Sequence, residues 1–326
     1  MNVYPLRFEP ILKERIWGGR NLESLYNKSL PPNVPVGESW EVSDRKEDSS
    51  VITNGEYAGN DLTWLMKNFS SEIMGQVTLH SNRFPLLVKI LDAQQKLSLQ
   101  VHPPAEKATQ MGGEPKTEMW FVTHAEPGAD LFVGLKNGVT EDTFRHKIDD
   151  GSVADCFHQI KVSAGDAMFL PSGRVHAIGA GNVIFEIQQN SDTTFRVFDW
   201  NRTGLDGKPR ELHIDSSMKS IDFLDFEPPL CSSLEGNPVI PEANLIVDDA
   251  LFSVETNSLA IGETASISSI GKPIIIGVYK GALSVNTPSS PGENLLAGQF
   301  CLIPACAPSW QLSSIEASDF LIAVPR

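Results

Sequence analysis

The chain has 326 residues, of which 41% are apolar and 21% charged, with a formal net charge of −15. That length supports one large domain or two moderate ones with sizeable cores, and the composition is that of an ordinary globular protein. The acidic balance argues against nucleic-acid or anionic-membrane partners, and no apolar run approaches the ~18 residues of a membrane span.

The N-terminal stretch MNVYPLRFEPILKERIWGG lacks the long apolar core of a signal peptide. Cys156, Cys231, Cys301 and Cys306 form no CxxC pair and no framework spacing. They read as reduced thiols, which predicts a cytoplasmic protein.

Residues 1–60 mix short apolar runs with turn formers such as Pro31-Pro32 and Asn54-Gly55, a strand-and-loop pattern. DLTWLMKNFSSEIM (61–74) places Leu62, Leu65, Met66 and Phe69 at helical spacing. FPLLVKIL (84–91) fits a buried strand interrupted by Lys89. A strand begins near Glu118, and TEDTFRHKI (140–148) starts like a capped helix with acids in its first turn. From Phe157 onward the segments HQIKV, DAMFLP, VHAIG, NVIFEIQQ and TTFRVFDW are short strands between Gly, Pro and Asn turns. The pattern predicts a mainly β sandwich or barrel with a few added helices.

The stretch FEPPLCSSLEGNPVIP (226–241) breaks the composition, and only strand-like segments follow it. This predicts a larger first lobe, 1–235, and a smaller β lobe, 236–326. The two lobes echo each other. AGDAMFLPSGRVH (164–176) and AGQFCLIPACAPS (297–309) both run Gly, five residues, Pro, but the second copy has no histidine, and none follows His213. A metal site therefore falls in the first lobe.

KLSLQVHPP (96–104) supplies its centre. Alternation sets Leu97, Leu99 and Val101 on one face and Ser98, Gln100 and His102 on the other. Burying that polar face is costly unless something satisfies it. Gln100, His102, Glu118 and His176 offer amide, imidazole and carboxylate donors of the kind that hold a divalent cation such as zinc.

Gly165-x5-Pro171-x-Gly173-x2-His176 matches the second motif of the cupin superfamily, and Gln100-Val101-His102 stands where the first motif has His-x-His. The glutamate follows 16 residues later, farther than the common spacing. With RIWGG (15–19), VGESWEVSD (36–44), FPLLVKIL, LSLQVHPP, KTEMW (116–120), GDAMFLPSGRVHAIG (165–179) and DTTFRVFDWNR (192–202), the chain resembles the type I phosphomannose isomerase family in its short bacterial form.

The resemblance implies two cupin-type jelly-roll lobes, the first catalytic and the second lacking metal ligands. It implies one divalent ion, taken as Zn2+, on Gln100, His102, Glu118 and His176. Arg196 corresponds to the active-site arginine, and Ser98 and Lys89 to substrate or phosphate contacts. The implied partner is a small sugar phosphate, taken by a monomer or homodimer. Glu186, in VIFEIQ, is the candidate general base, and Lys116 lies on the same face as Glu118. From the residues alone, Arg196 reads first as a surface pair with Asp199, and Lys89 also suits a solvent-reaching lysine. Two other classes fit the scaffold: another metal-dependent cupin enzyme, such as a dioxygenase or sugar epimerase, and a non-catalytic sugar-binding protein.

Overall fold

The computed structural model describes residues 1–79, 81–287 and 290–326. Residues 11–198 are built on two facing antiparallel sheets. One runs in the order Ile11–Gly19, Val36–Val42, Leu86–Ala93, Asn182–Gln189, Glu118–Ala125, Ala167–Leu170. The other runs Phe195–Phe198, Leu99–Val101, His176–Ile178, Asp130–Leu135, Phe157–Lys161. Leu91, Trp120, Val122 and Ile184 of the first pack with Leu131, Val133 and Ile178 of the second. Facing sheets of this kind form the β sandwich expected from the strand pattern, and agree with the jelly-roll that the family resemblance implies.

The period of two explains why the central strands read as continuous apolar runs. On one face, Leu86, Val88, Ile90, Met119, Phe121, Val183, Phe185 and Ile187 enter a core shared with the C-terminal strands. The opposite face turns Lys89, Glu118 and Glu186 toward the space between the two sheets. Both faces are buried, so neither alternates with exposed polar residues.

The C-terminal sheet runs Asn244–Asp248, Phe252–Leu259, Ser309–Pro325, Ile274–Thr287, Ser290–Leu296, with Thr264–Ser268 and Phe300–Ile303 added to its two long strands. Its Phe252, Val254, Phe300, Leu302 and Leu321 complete the shared core. The Phe185 and Phe300 rings lie 4.9 Å apart. At the N-terminus, Leu6 and Leu302 exchange backbone hydrogen bonds, both 2.8 Å.

Both expected helices form, beginning one residue after their caps. The Asp61 carboxylate accepts from Trp64 N at the start of Leu62–Met74, and the Thr140 hydroxyl accepts from Thr143 N before Glu141–Asp149. The first breaks helical geometry at Phe69 (φ −137°, ψ 29°), which nonetheless packs on the shared core. The structure adds Asn21–Tyr26 and Ile214–Ser220, helices too short to show a periodic stripe. The echoed segments have matching geometry: Gly165 and Gly298 both take positive φ, and each precedes a four-residue strand, Ala167–Leu170 and Phe300–Ile303.

Candidate active site and metal centre

Cross-strand register assembles the site. On the second sheet, Gln100 pairs with Arg196 on one side and His176 on the other. On the first, Glu186 pairs with Lys89 and with Trp120, while Glu118 pairs with Gln188. His102 directly follows the Leu99–Val101 strand, and Lys116 precedes Glu118 by two residues.

His102, Glu118 and His176 converge with one ligand atom each, all within 4.8 Å of one another. His102 Nε2 lies 3.1 Å from His176 Nε2 and 3.6 Å from Glu118 Oε2, and His176 Nε2 lies 3.4 Å from Glu118 Oε1. Each ring uses its other nitrogen on a backbone carbonyl, His102 Nδ1 to Thr193 O at 2.8 Å and His176 Nδ1 to Arg174 O at 2.9 Å. A carbonyl only accepts, so both Nδ1 atoms carry the proton. Both Nε2 lone pairs then face inward, the arrangement that second-layer hydrogen bonds impose on metal-binding histidines.

Electrostatics support the same protonation. Burial, aided by the neighbouring Lys116 ammonium, pushes His102 down to about 4, and burial likewise lowers His176. Burial alone would raise Glu118, but Lys116 and the two histidines hold it well below the usual carboxylate range. Two neutral imidazoles and a carboxylate form a net-negative donor set.

Lys116 supplies part of the missing positive charge. Its Nζ lies 2.7 Å from Glu118 Oε2, 3.3 Å from His102 Nε2 and 3.9 Å from Glu186 Oε1. The approach to Glu118 is a close, fully buried ion pair. Glu118 Oε2 meets the Lys116 ammonium, whereas the buried Oε1 has no donor among the described residues and faces the lone pair of His176. A buried carboxylate oxygen left beside a second lone pair, as Oε1 is, is destabilising unless a further cation joins them. The donor set therefore fits a divalent ion.

Beside the trio opens a cavity of about 560 Å3 lined by Lys89, Ser98, Gln100, Lys116, Glu186 and Arg196 among others. Six of the nine side chains singled out in the sequence thus share one wall, and Gln100 and Lys116 link it to the histidines. Gln100 Nε2 is 3.4 Å from His176 Nε2. Glu186 Oε1 faces Lys89 Nζ at 3.3 Å, and its Oε2 accepts from Trp120 Nε1 at 2.9 Å.

Lys89 is 4% exposed, so it does not reach solvent. Its ammonium lies 5.0 Å from the centre of the Trp40 ring. Nor does Arg196 pair with Asp199 in the manner the residues alone allowed. Asp199 is taken by Arg202 and Arg210, while Arg196 Nη1 donates to Glu211 O at 2.7 Å and its buried Nε has no acceptor. Among the described residues Arg196 has no carboxylate within ion-pair distance, and burial, with Arg210 nearby, lowers its pKa.

Several wall residues were not marked in the sequence as site residues. Glu38 accepts from Arg15 Nε and from Trp40 Nε1, both at 2.7 Å, and Asp192 and Arg210 also line the cavity. Alternation in VGESWEV places Glu38 with Trp40 on one face, but Lys89, which makes that face part of the site, lies about 50 positions away along the chain.

A family model described as phosphomannose isomerase type I, catalytic domain, matches residues 6–113. The Bacillus subtilis protein named mannose-6-phosphate isomerase ManA is 37% identical over 261 residues, covering 79% of this chain and 76% of its own. The Streptococcus mutans mannose-6-phosphate isomerase is 34% identical over 313 residues, 94% of each chain. This chain belongs to the type I phosphomannose isomerase family. A crystal structure of the Bacillus subtilis mannose 6-phosphate isomerase superposes with a TM-score of 0.87 at 28% identity, over 98% of this chain and 99% of that one. The mainly β, cupin-type fold is therefore that of the phosphomannose isomerases, and the His-Glu-His cluster lies within it.

Proposed function

We propose that the chain is a metal-dependent aldose-ketose isomerase that interconverts mannose 6-phosphate and fructose 6-phosphate through an enediolate. The observation that carries this reading is the buried His102–Glu118–His176 donor cluster, joined through Gln100 and Lys116 to a cavity whose wall holds a carboxylate, Glu186, and an arginine, Arg196, with no carboxylate partner among the described residues. His102, Glu118, His176 and the amide oxygen of Gln100, after a half-turn of that amide, would hold one ion, which we assign as zinc. When bound, such an ion acts as a Lewis acid toward the sugar oxygens and lowers the barrier by several kcal/mol.

The chain's own residues supply the remainder. Glu186 moves the proton between C2 and C1, with Oε1 as the basic atom. Trp120 fixes its other oxygen, and the Lys89 and Lys116 ammonium groups hold the carboxylate in place. The Arg196 guanidinium stabilises the negative charge that develops on oxygen, a role suited to a preorganised, partly buried cation. Ser98 and the remaining donors of Lys89 bind substrate oxygens or phosphate.

Residues 1–235 form the catalytic lobe in this reading. Residues 236–326 form a companion lobe whose lack of histidine leaves it without a metal role. The four free cysteines support a reducing, cytoplasmic setting.

A dioxygenase acting on an apolar substrate has no use for the five cationic side chains on this wall, Arg15, Lys89, Lys116, Arg196 and Arg210. A coupled assay of fructose 6-phosphate formation tests the reading, with glucose 6-phosphate and unphosphorylated mannose as comparators. Turnover of mannose 6-phosphate well above both is expected. No turnover by the zinc-replete protein would refute the assignment.

A further inference from the structure

The mouth of the cavity is bordered by a hairpin, residues 199–211, to which the reaction above gives no role. Where the Phe195–Phe198 strand ends, Trp200 and Asn201 both take left-handed backbone, φ 56° and 54°. That conformation is costly for a bulky residue and persists where the surroundings over-determine it. Here Trp200 Nε1 donates to Leu97 O at 2.7 Å, and the Lys96 ammonium lies 4.7 Å from the indole centre. The chain then doubles back, with Thr203 bridging Pro209 and Gly204 N donating to Lys208 O at 2.7 Å. Gly204, Leu205, Asp206 and Arg210 line the cavity, and Leu205 is 58% exposed, so this segment is its rim.

Asp199 closes the base of the hairpin and is 5% exposed. Arg210 donates to it twice, from Nε to Oδ2 at 2.7 Å and from Nη2 to Oδ1. Arg202, on the opposite arm, donates from Nε to Oδ1 at 3.0 Å. One carboxylate thus ties both arms together. Asp199 is absent from the cavity wall, whereas Arg210 is part of it. A guanidinium gripped along its Nε–Nη2 edge keeps its other edge, through Nη1, for a second ligand. Among the described residues, Arg210 Nη1 makes no hydrogen bond.

We propose that Asp199 is a positioning residue: it clasps the rim hairpin and sets the free edge of Arg210 to meet the phosphate of the substrate. The proposal rests on the sugar-phosphate reading above. A phosphate contact remote from C1 and C2 is made equally in the ground and transition states. Its loss therefore raises KM and spares kcat.

The test is steady-state kinetics of the metal-loaded full chain carrying Asp199→Asn, Arg210→Ala, or both. We expect KM for mannose 6-phosphate to rise about tenfold in each single variant, with kcat within about twofold of wild type. Competitive inhibition by inorganic phosphate should weaken in parallel, and the double variant should be no worse than Arg210→Ala alone. A folded Asp199→Asn protein with wild-type KM overturns the proposal, as does a double variant whose KM is raised by the product of the single effects. A purely structural clasp would lower Tm and leave phosphate inhibition unchanged, which also overturns it. If Asp199→Asn does not fold, Arg210→Lys decides the matter, because it keeps the charge but cannot hold the two-point pair. Raised KM supports the clasp and wild-type KM refutes it. Absence of turnover in the wild-type protein refutes the isomerase reading instead, so the two failures are distinguishable.

Discussion

The Nε2 atoms of His102 and His176 stand 3.1 Å apart, while each ring already engages a backbone carbonyl through Nδ1. Two lone pairs at that separation, beside a carboxylate oxygen, Glu118 Oε1, that has no donor among the described residues, repel one another, and a cation between them relieves that repulsion. His102→Ala and His176→Ala should therefore each abolish stoichiometric metal binding. Elemental analysis of the purified variants measures this, and one equivalent of metal retained in either contradicts the site.

Glu186 faces two ammonium groups and a cavity, with its second oxygen held by an indole. Replacing it by Gln keeps the shape and removes the base. We expect kcat to fall by about 10²–10⁴ with KM little changed. Exchange of deuterium from C2 of mannose 6-phosphate into solvent should slow equally. Near-normal turnover would move the proton transfer to another group.

Arg196 has no carboxylate partner among the described residues, although Asp199 lies three positions along the chain. Arg196→Ala should reduce kcat by about 10²–10³, the usual loss for a preorganised charge stabiliser. Arg196→Lys should restore part of it. Normal turnover in Arg196→Ala would return this residue to a purely structural role.

Glu38 links stability to pH. Burial alone would raise its pKa, but Lys89 and Arg15 outweigh it and bring the carboxyl from its ordinary 4.5 to about 2. The folded state thus holds this proton more weakly than the unfolded state. The stabilisation is present above about pH 4.5 and is lost as pH falls toward 2, an effect on the order of 3 kcal/mol. Urea unfolding at pH 7 and pH 3 should show a smaller pH dependence for Glu38→Gln than for wild type. Equal dependence would mean that Glu38 is not held in this way.

Sequence reading picked out the candidate donors because each sits at a marked point of the chain. Alternation exposes Gln100 and His102 on one strand face, and the Gly165, Pro171 and Gly173 turns announce His176. Lys89 and Glu186 stood out as charges inside apolar strands, and their direct cross-strand pairing accounts for both. Glu38, Arg15 and Arg210 carried no comparable mark. Their place in the site depends on sheet neighbours and a folded-back hairpin far off in sequence. The contact between the first sheet and the C-terminal strands was equally hidden. Phe185 and Phe300 look like any core aromatics until the second face of the central sheet is seen to need a partner.

The most direct test of the metal-assisted reaction is turnover against bound zinc. The protein is stripped with chelator, reloaded in fractional equivalents, and assayed with mannose 6-phosphate at each step. Activity should vanish on stripping, rise in proportion to bound zinc and level off at one equivalent per chain. Full turnover in the stripped protein, or none at one bound equivalent, would contradict a catalytic ion at His102, Glu118 and His176.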